Sequence, residues 1–337
     1  MDDNTETTTG EKDATRLAAD IESLGNRLQD VRAAIGQVIF GQKKVIDEAL
    51  ITLLAGGHGL LIGVPGLAKT RLVQTLGIVL GLEDKRIQFT PDLMPADILG
   101  SEVLEESDTG TRSFRFIRGP VFCQLLMADE INRASPRTQS ALLQAMQERS
   151  VAVAGISHDL PRPFHVLATQ NPLEHEGVYP LPEAQLDRFL LQIDVLYPDA
   201  EAERTMLIAT TGTTEGEASP VLDGDELMAA QHLVRRLPVG DQVVEAILSL
   251  VRSGRPGEGN SEIDDIVGWG PGPRASQALM LACRARAILE NRLAPSIDDV
   301  LALAHPVLRH RMALTFSARA DGITIDQVID RLCEPLA

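Results

Sequence analysis

Two short stretches carry side chains whose types and order suit holding a polyphosphate and cleaving it. The first is Gly63-Val64-Pro65-Gly66-Leu67-Ala68-Lys69-Thr70, which follows the apolar run Leu60-Leu61-Ile62 and opens an apolar-periodic segment over 71–82. A strand, a glycine-bearing loop and a helix in that order present backbone N–H groups to an anion, and Lys69 adds a fixed positive charge. Thr70 offers a hydroxyl to a Mg²⁺ that bridges phosphates. Ala68 stands where a glycine usually precedes the lysine. The second stretch, Leu125-Leu126-Met127-Ala128-Asp129-Glu130, is an apolar run ending in two adjacent acids. At the carboxyl end of a central strand, Asp129 can hold Mg²⁺ through its water shell beside Thr70. Glu130, pointing elsewhere, can orient or deprotonate the attacking water. The plainer alternative is a solvated acid pair at a strand end, and the loop upstream argues against it.

Three further residues fit the same chemistry. Val166-Leu167-Ala168-Thr169-Gln170-Asn171-Pro172 is another strand with an amide at its carboxyl end. Ligands of a doubly wound sheet sit beyond those ends, so Asn171 can hydrogen-bond the water or the γ-phosphate, unless Asn-Pro is a plain turn. Arg188 lies just before the last strand, where it would face outward along the sheet edge. Arg274 follows Pro273 in the first turn of a later helix, where the helix dipole disfavours a cation unless an anion lies there. For each arginine the plain alternative is a solvated surface charge.

Positioning these residues requires alternating strands and helices. Leu17, Ile21, Leu24, Leu28, Val31 and Ile35 fall at steps of three and four, predicting an amphipathic helix over 15–38. Gly41-Gln42 breaks it, and Val45, Ala49, Leu50 and Leu53 begin a second helix. Short apolar runs at 60–62, 87–90, 122–128, 164–169 and 189–195 are separated by helical stretches, the pattern of a parallel sheet covered on both faces. Ser135-Pro136 reads as a helix start with a capping hydroxyl. Two segments, at about 101–118 and 149–162, read as hairpins projecting from the sheet, the first turning at Asp108-Thr109-Gly110. Beyond Tyr197-Pro198-Asp199 no further apolar strand is evident. The expected organisation is a disordered acidic tail over 1–14, an αβα core over 15–198 and an all-helical domain over 199–337.

Composition narrows the functions. At 44% hydrophobic and 23% charged residues, the 337-residue chain reads as a soluble globular protein. No run approaches the roughly 18 apolar residues of a membrane helix, and the polar N-terminus is not a secretory signal. Cys123, Cys283 and Cys333 are scattered, suggesting neither disulfide framework nor metal site and pointing to a reducing cytoplasm. A net charge of −17 with no basic stripe, and 3% aromatic residues, argue against nucleic-acid binding.

Taken together these motifs resemble the AAA+ ATPases, and within them the MoxR family. The resemblance rests on GVPGLAKT, LLMADEINRASPRTQSALLQAMQE, ATQNPLEHEGVYPLPEAQLDRF and VLRHRMAL, and spans about residues 15–315. It implies a P-loop NTPase core of five parallel strands with a helical lid, Mg·ATP hydrolysis, and assembly into rings, usually hexamers. It implies that Asn171 and Arg274 are the two sensor residues and that Arg188 is an arginine finger reaching a neighbouring subunit's nucleotide. The hairpins correspond to inserts that line or rim the ring, and Gly41-Gln42 matches the segment near the adenine. Similar proteins act as chaperone-like remodelling factors, commonly with a partner bearing a von Willebrand factor A domain. The alternative readings are a magnesium-chelatase-like motor subunit, a nucleic-acid-stimulated motor, and a slow nucleotide switch.

Overall fold

The computed structural model describes residues 4–106, 112–174, 177–211, 216–258 and 261–336, with side chains outside the description at 4–14 and 261–262. In chain order, α1 (Asn4–Gly36) and α2 (Lys43–Leu54) precede β1 (Gly59–Ile62), and the glycine-bearing loop leads into α3 (Lys69–Val79). Then come β2 (Asp84–Gln88), α4 (Pro95–Leu99), the strands β3 (Gly100–Glu106) and β4 (Arg112–Arg118), β5 (Leu125–Asp129) and α5 (Pro136–Glu148). Strands β6 (Ser150–Val153) and β7 (Ile156–Asp159) lead to β8 (His165–Gln170), α6 (Glu183–Leu186), β9 (Leu191–Asp194) and α7 (Ala200–Thr211). The rest runs through α8 (Gly224–Arg236), α9 (Asp241–Ser253), α10 (Ser261–Ile266), β10 (Val267–Trp269) and α11 (Pro273–Leu289). It ends with α12 (Ile297–Leu308), β11 (Ala313–Leu314), α13 (Phe316–Ala320) and α14 (Ile325–Cys333).

The five apolar runs form one sheet, in the order β2-β5-β8-β1-β9, with every pairing parallel. All residues of β5 are buried, as are those of β8 up to Thr169, because a strand covered on both faces tolerates apolar side chains at every position. Register then brings the strand ends together: Gln88 pairs with Asp129, and Leu61 with Thr169. Leu60, Leu126, Ala128, Val166, Ala168 and Phe189 belong to one buried cluster behind those ends. Ser135 caps α5 by accepting a hydrogen bond from the Thr138 N–H.

Both hairpins are present. Leu104 faces Phe114 across β3 and β4, while the turn expected at Asp108-Thr109-Gly110 lies outside the described residues. Between β6 and β7 the chain turns through Ala154 and Gly155, with φ of 48° and 82°, the left-handed pair that matches a two-residue hairpin to strand twist.

By internal compactness the chain divides into one unit of Ile35–Ala49 with Gly56–Asp225, and another of Met1–Ala34, Leu50–Ala55 and Glu226–Ala337. The division expected after residue 198 therefore moves to 225, because 216–225 packs with the sheet unit, where Val221 and Leu222 donate backbone hydrogen bonds to the Val79 carbonyl. The first helix groups with the lid helices; Arg27, for example, donates to Glu226 at 2.5 and 2.9 Å. That helix also starts earlier than expected, at Asn4, so most of the segment read as a disordered tail has helical backbone. The lid unit is not wholly helical: β10 and β11 form a short antiparallel pair. Its interior holds Asp299, fully buried between Arg286 and Arg292.

In the sheet unit His58 and His165 lie side by side in the core, ring centroids 6.5 Å apart. The Val166 N–H donates to Nδ1 of His58 at 3.0 Å, leaving Nε2 to donate to the Met146 carbonyl at 3.3 Å; Nδ1 of His165 donates to the Gly57 carbonyl at 2.8 Å. Burial lowers them from 6.5 to about 3 and about 4 respectively. The unfolded chain takes up these protons near pH 6.5 and the folded one resists, so their contribution is complete above that value and declines as pH falls toward 4. The unfolding free energy measured by urea titration should drop on going from about pH 7.5 to about pH 5, by roughly 2 kcal/mol per histidine. A His58→Gln, His165→Gln double variant should show a flatter profile over the same window.

Candidate functional site

The phosphate-loop residues sit between the end of β1 and the start of α3. Gly63 has no room for a side chain, since a Cβ there would lie 2.6 Å from the Val195 carbonyl oxygen. Gly66 adopts φ +86°, a conformation open to glycine at little cost. Ala68 is left-handed as well, at φ 57°, immediately before the helix. The glycine more usual at that position fits this conformation without strain, whereas an alanine methyl costs about 1–2 kcal/mol. The Lys69 ammonium folds back over the loop, donating to the carbonyls of Gly63 and, at 3.0 Å, Val64. Partial burial lowers its pKa, opposed by the nearby carboxylates of Asp129 and Glu130.

Across from the loop, the two acids diverge. Asp129 is 8% exposed. Its Oδ2 accepts from Nε and Nη2 of Arg86 at 3.1 and 2.6 Å, and its Oδ1 accepts from the Thr169 hydroxyl at 2.6 Å. Glu130 adopts φ 55°, which turns its side chain away from that of Asp129. Its Oε2 accepts from Nε2 of Gln88 at 2.7 Å and Nη1 of Arg133 at 3.0 Å, while its backbone N–H donates to Thr169 Oγ1 at 2.9 Å. Asn171, at the end of β8, donates to Glu174 at 3.0 Å and accepts from the Leu173 N–H at 3.1 Å.

Pro65, Gly66, Leu67, Ala68, Lys69, Thr70, Asp129, Glu130 and Asn171 all line one cavity of about 380 Å³, together with Arg71 and Thr169. Gln42 is buried beside the loop and donates to the Leu67 carbonyl at 3.4 Å; Gly41 lies in the bend before α2. Arg188 is half-buried in the turn after α6 and is not among the cavity residues. Arg274 is exposed in the first turn of α11, in the other compact unit.

The donors suit a Mg²⁺-bound nucleotide. One carboxylate and one hydroxyl are hard oxygen ligands, and Mg²⁺ characteristically takes only one or two protein oxygens, completing its shell with water and phosphates. No cluster of three or more His, Cys, Asp or Glu among the described residues forms an all-protein metal cage. Thr169, Gln88, Arg86, Arg133 and Glu174 are the site residues that sequence reasoning missed. The one available signal was Thr169, which stands two residues before Asn171 at the carboxyl end of the strand.

Comparison with known proteins follows the same line. Residues 58–191 match the family described as ATPase family associated with various cellular activities, and residues 261–332 match the AAA lid domain. Chaperone MoxR1 of Mycobacterium tuberculosis is 42% identical over 323 residues, 95% of this chain and 84% of that protein. Protein MoxR of Paracoccus denitrificans is 33% identical over 313 residues, 86% of this chain and 89% of that protein. The solved structure of a candidate ATPase from Cytophaga hutchinsonii is similar with a TM-score of 0.86 at 35% identity, covering 96% of this chain and 98% of that one. No described helix is long and apolar enough to cross a membrane.

Two substitutions probe this geometry. Thr169→Val leaves Oδ1 of Asp129 and the Glu130 N–H without their shared partner, and should lower stability by about 1–3 kcal/mol in urea unfolding, with Thr169→Ser recovering most of it. Ala68→Gly removes the left-handed methyl at the cost of a more flexible unfolded chain. The net should be a gain of about 0.5 kcal/mol, and a loss of about 1 kcal/mol would contradict the strain assigned to Ala68.

Proposed function

This chain belongs to the MoxR family of AAA+ ATPases, and we propose on that premise that it hydrolyses Mg·ATP as a ring, acting as a chaperone-like factor that remodels or matures a client protein complex. The observation that carries the proposal is the convergence of Lys69, Thr70, Asp129, Glu130 and Asn171 on one cavity at the carboxyl ends of the strands.

Backbone N–H groups of 66–70 and the amino end of α3 bind the phosphates, with Lys69 supplying the charge. For this the ammonium leaves the two loop carbonyls it holds in the structure. Thr70 and Asp129 would hold a Mg²⁺, which when bound would neutralise developing phosphate charge. Glu130 takes the proton of the attacking water and Asn171 orients that water, both exchanging present partners for it. Gly41 and Gln42 border the base. Arg274 serves as the second sensor on the γ-phosphate, and Arg188 reaches the nucleotide of the next subunit. A hexamer is the proposed ring, a protein with a von Willebrand factor A domain the proposed partner, and the cytoplasm the proposed compartment.

Mixing experiments test the shared site. Arg188→Ala and Lys69→Ala homomers should each lose turnover, by about 10³-fold or more for the finger. Mixed together, they should regain part of it, because an intact Lys69 loop then meets an intact Arg188 across some interfaces. Mixtures as inactive as the separate variants, or a dilute monomer with full activity, would remove the finger from the neighbour. Lys69→Ala should also fail to bind a fluorescent ATP analogue; undiminished binding would contradict the phosphate-loop role.

A further inference from the structure

Arg86 and Gln88 stand two residues apart on β2, so their side chains share one face of the strand. The Arg86 guanidinium donates twice to Oδ2 of Asp129, and its Nη2 also donates to Oε1 of Gln88 at 3.0 Å. With that oxygen occupied, the Gln88 amide nitrogen is directed at Glu130. One guanidinium therefore touches Asp129 directly and reaches Glu130 through a single amide.

Three observations give this contact a consequence. Asp129 is almost fully buried, so its carboxylate requires a nearby positive charge. Lys69 is turned to the loop carbonyls of Gly63 and Val64, which leaves Arg86 as the cation bonded to Asp129 among the described residues. Oδ1 is held by Thr169, so Oδ2 is the oxygen that a metal or its water shell contests. The Arg86 side chain is itself 47% exposed and has water to swing into.

We propose that Arg86 is a positioning residue that acts as a placeholder counter-charge. It pairs with Oδ2 of Asp129 before a divalent cation arrives, and yields that oxygen when the cation comes with its nucleotide. Its departure also frees Oε1 of Gln88, whose amide nitrogen is one of two donors to Oε2 of Glu130, Arg133 being the other. The ion pair thereby sets a threshold against metal binding ahead of nucleotide. This inference rests on reading the cavity as a Mg·nucleotide site.

The test is direct titration of Mn²⁺, followed by electron paramagnetic resonance, into the full chain saturated with a non-hydrolysable ATP analogue. Wild type is compared with Arg86→Gln, Arg86→Met and Arg86→Lys, each first checked for a native melting transition. Removing the charge should tighten Mn²⁺ binding by about three- to fivefold, the scale of a half-exposed ion pair, with Gln and Met agreeing and Lys close to wild type. The methionine variant keeps the packing of the stem, so a folding defect in one neutral variant leaves the other to decide. Unchanged or weaker Mn²⁺ binding in the neutral variants, beside normal binding in wild type, overturns the placeholder and leaves the nucleotide site standing. Absence of metal–nucleotide binding in wild type overturns both.

Discussion

Two carboxylates on adjacent residues repel each other at the buried end of a strand, and the site is organised around keeping them apart. The left-handed backbone at Glu130 sends its side chain in a different direction from that of Asp129. Each acid then has its own guanidinium, Arg86 for one and Arg133 for the other. Thr169 fixes the divergence from behind, donating to Asp129 and accepting from the Glu130 backbone. Separation of the acids is what suits them to the separate tasks proposed for them, one toward metal and one toward water. The parallel register of β2, β5 and β8 exists in service of this arrangement, because it alone sets Gln88, Asp129 and Thr169 at the same edge.

Much of the core was legible because its signals are local. A strand buried on both faces announces itself as an unbroken apolar run, and all five runs entered the sheet. The phosphate loop and the acid pair are contiguous motifs whose chemistry follows from residue type alone. Apart from Thr169, the partners of those acids were not legible, since Arg86, Gln88 and Arg133 meet them through sheet register and a short helical turn, neither of which leaves a mark in composition. Strands β10 and β11, three and two residues long, are too short for any period to show. The early start of α1 escaped notice for a related reason. A helix running through polar residues has no apolar stripe to betray it.

Two of the five described non-glycine residues with positive φ, Ala68 and Glu130, sit in the candidate site. Each is held there by structure that over-determines it: Ala68 by the loop and the first turn of α3, Glu130 by Thr169, Gln88 and Arg133. Such residues commonly mark sites whose geometry is set before the ligand arrives. The same logic explains why the cavity is already lined by its polar groups while several of them bond one another, as Asn171 does with Glu174. Binding then proceeds by exchange of partners, with little rebuilding of the backbone.

The division of labour between the two acids is most directly tested by the Glu130→Gln variant, assayed for ATP affinity and for turnover in the same preparation. A glutamine keeps the shape and loses the base. The account predicts ATP affinity within about threefold of wild type and turnover reduced by about 10²-fold or more, the scale of general-base catalysis. Turnover equal to that of wild type, with binding intact, would contradict it.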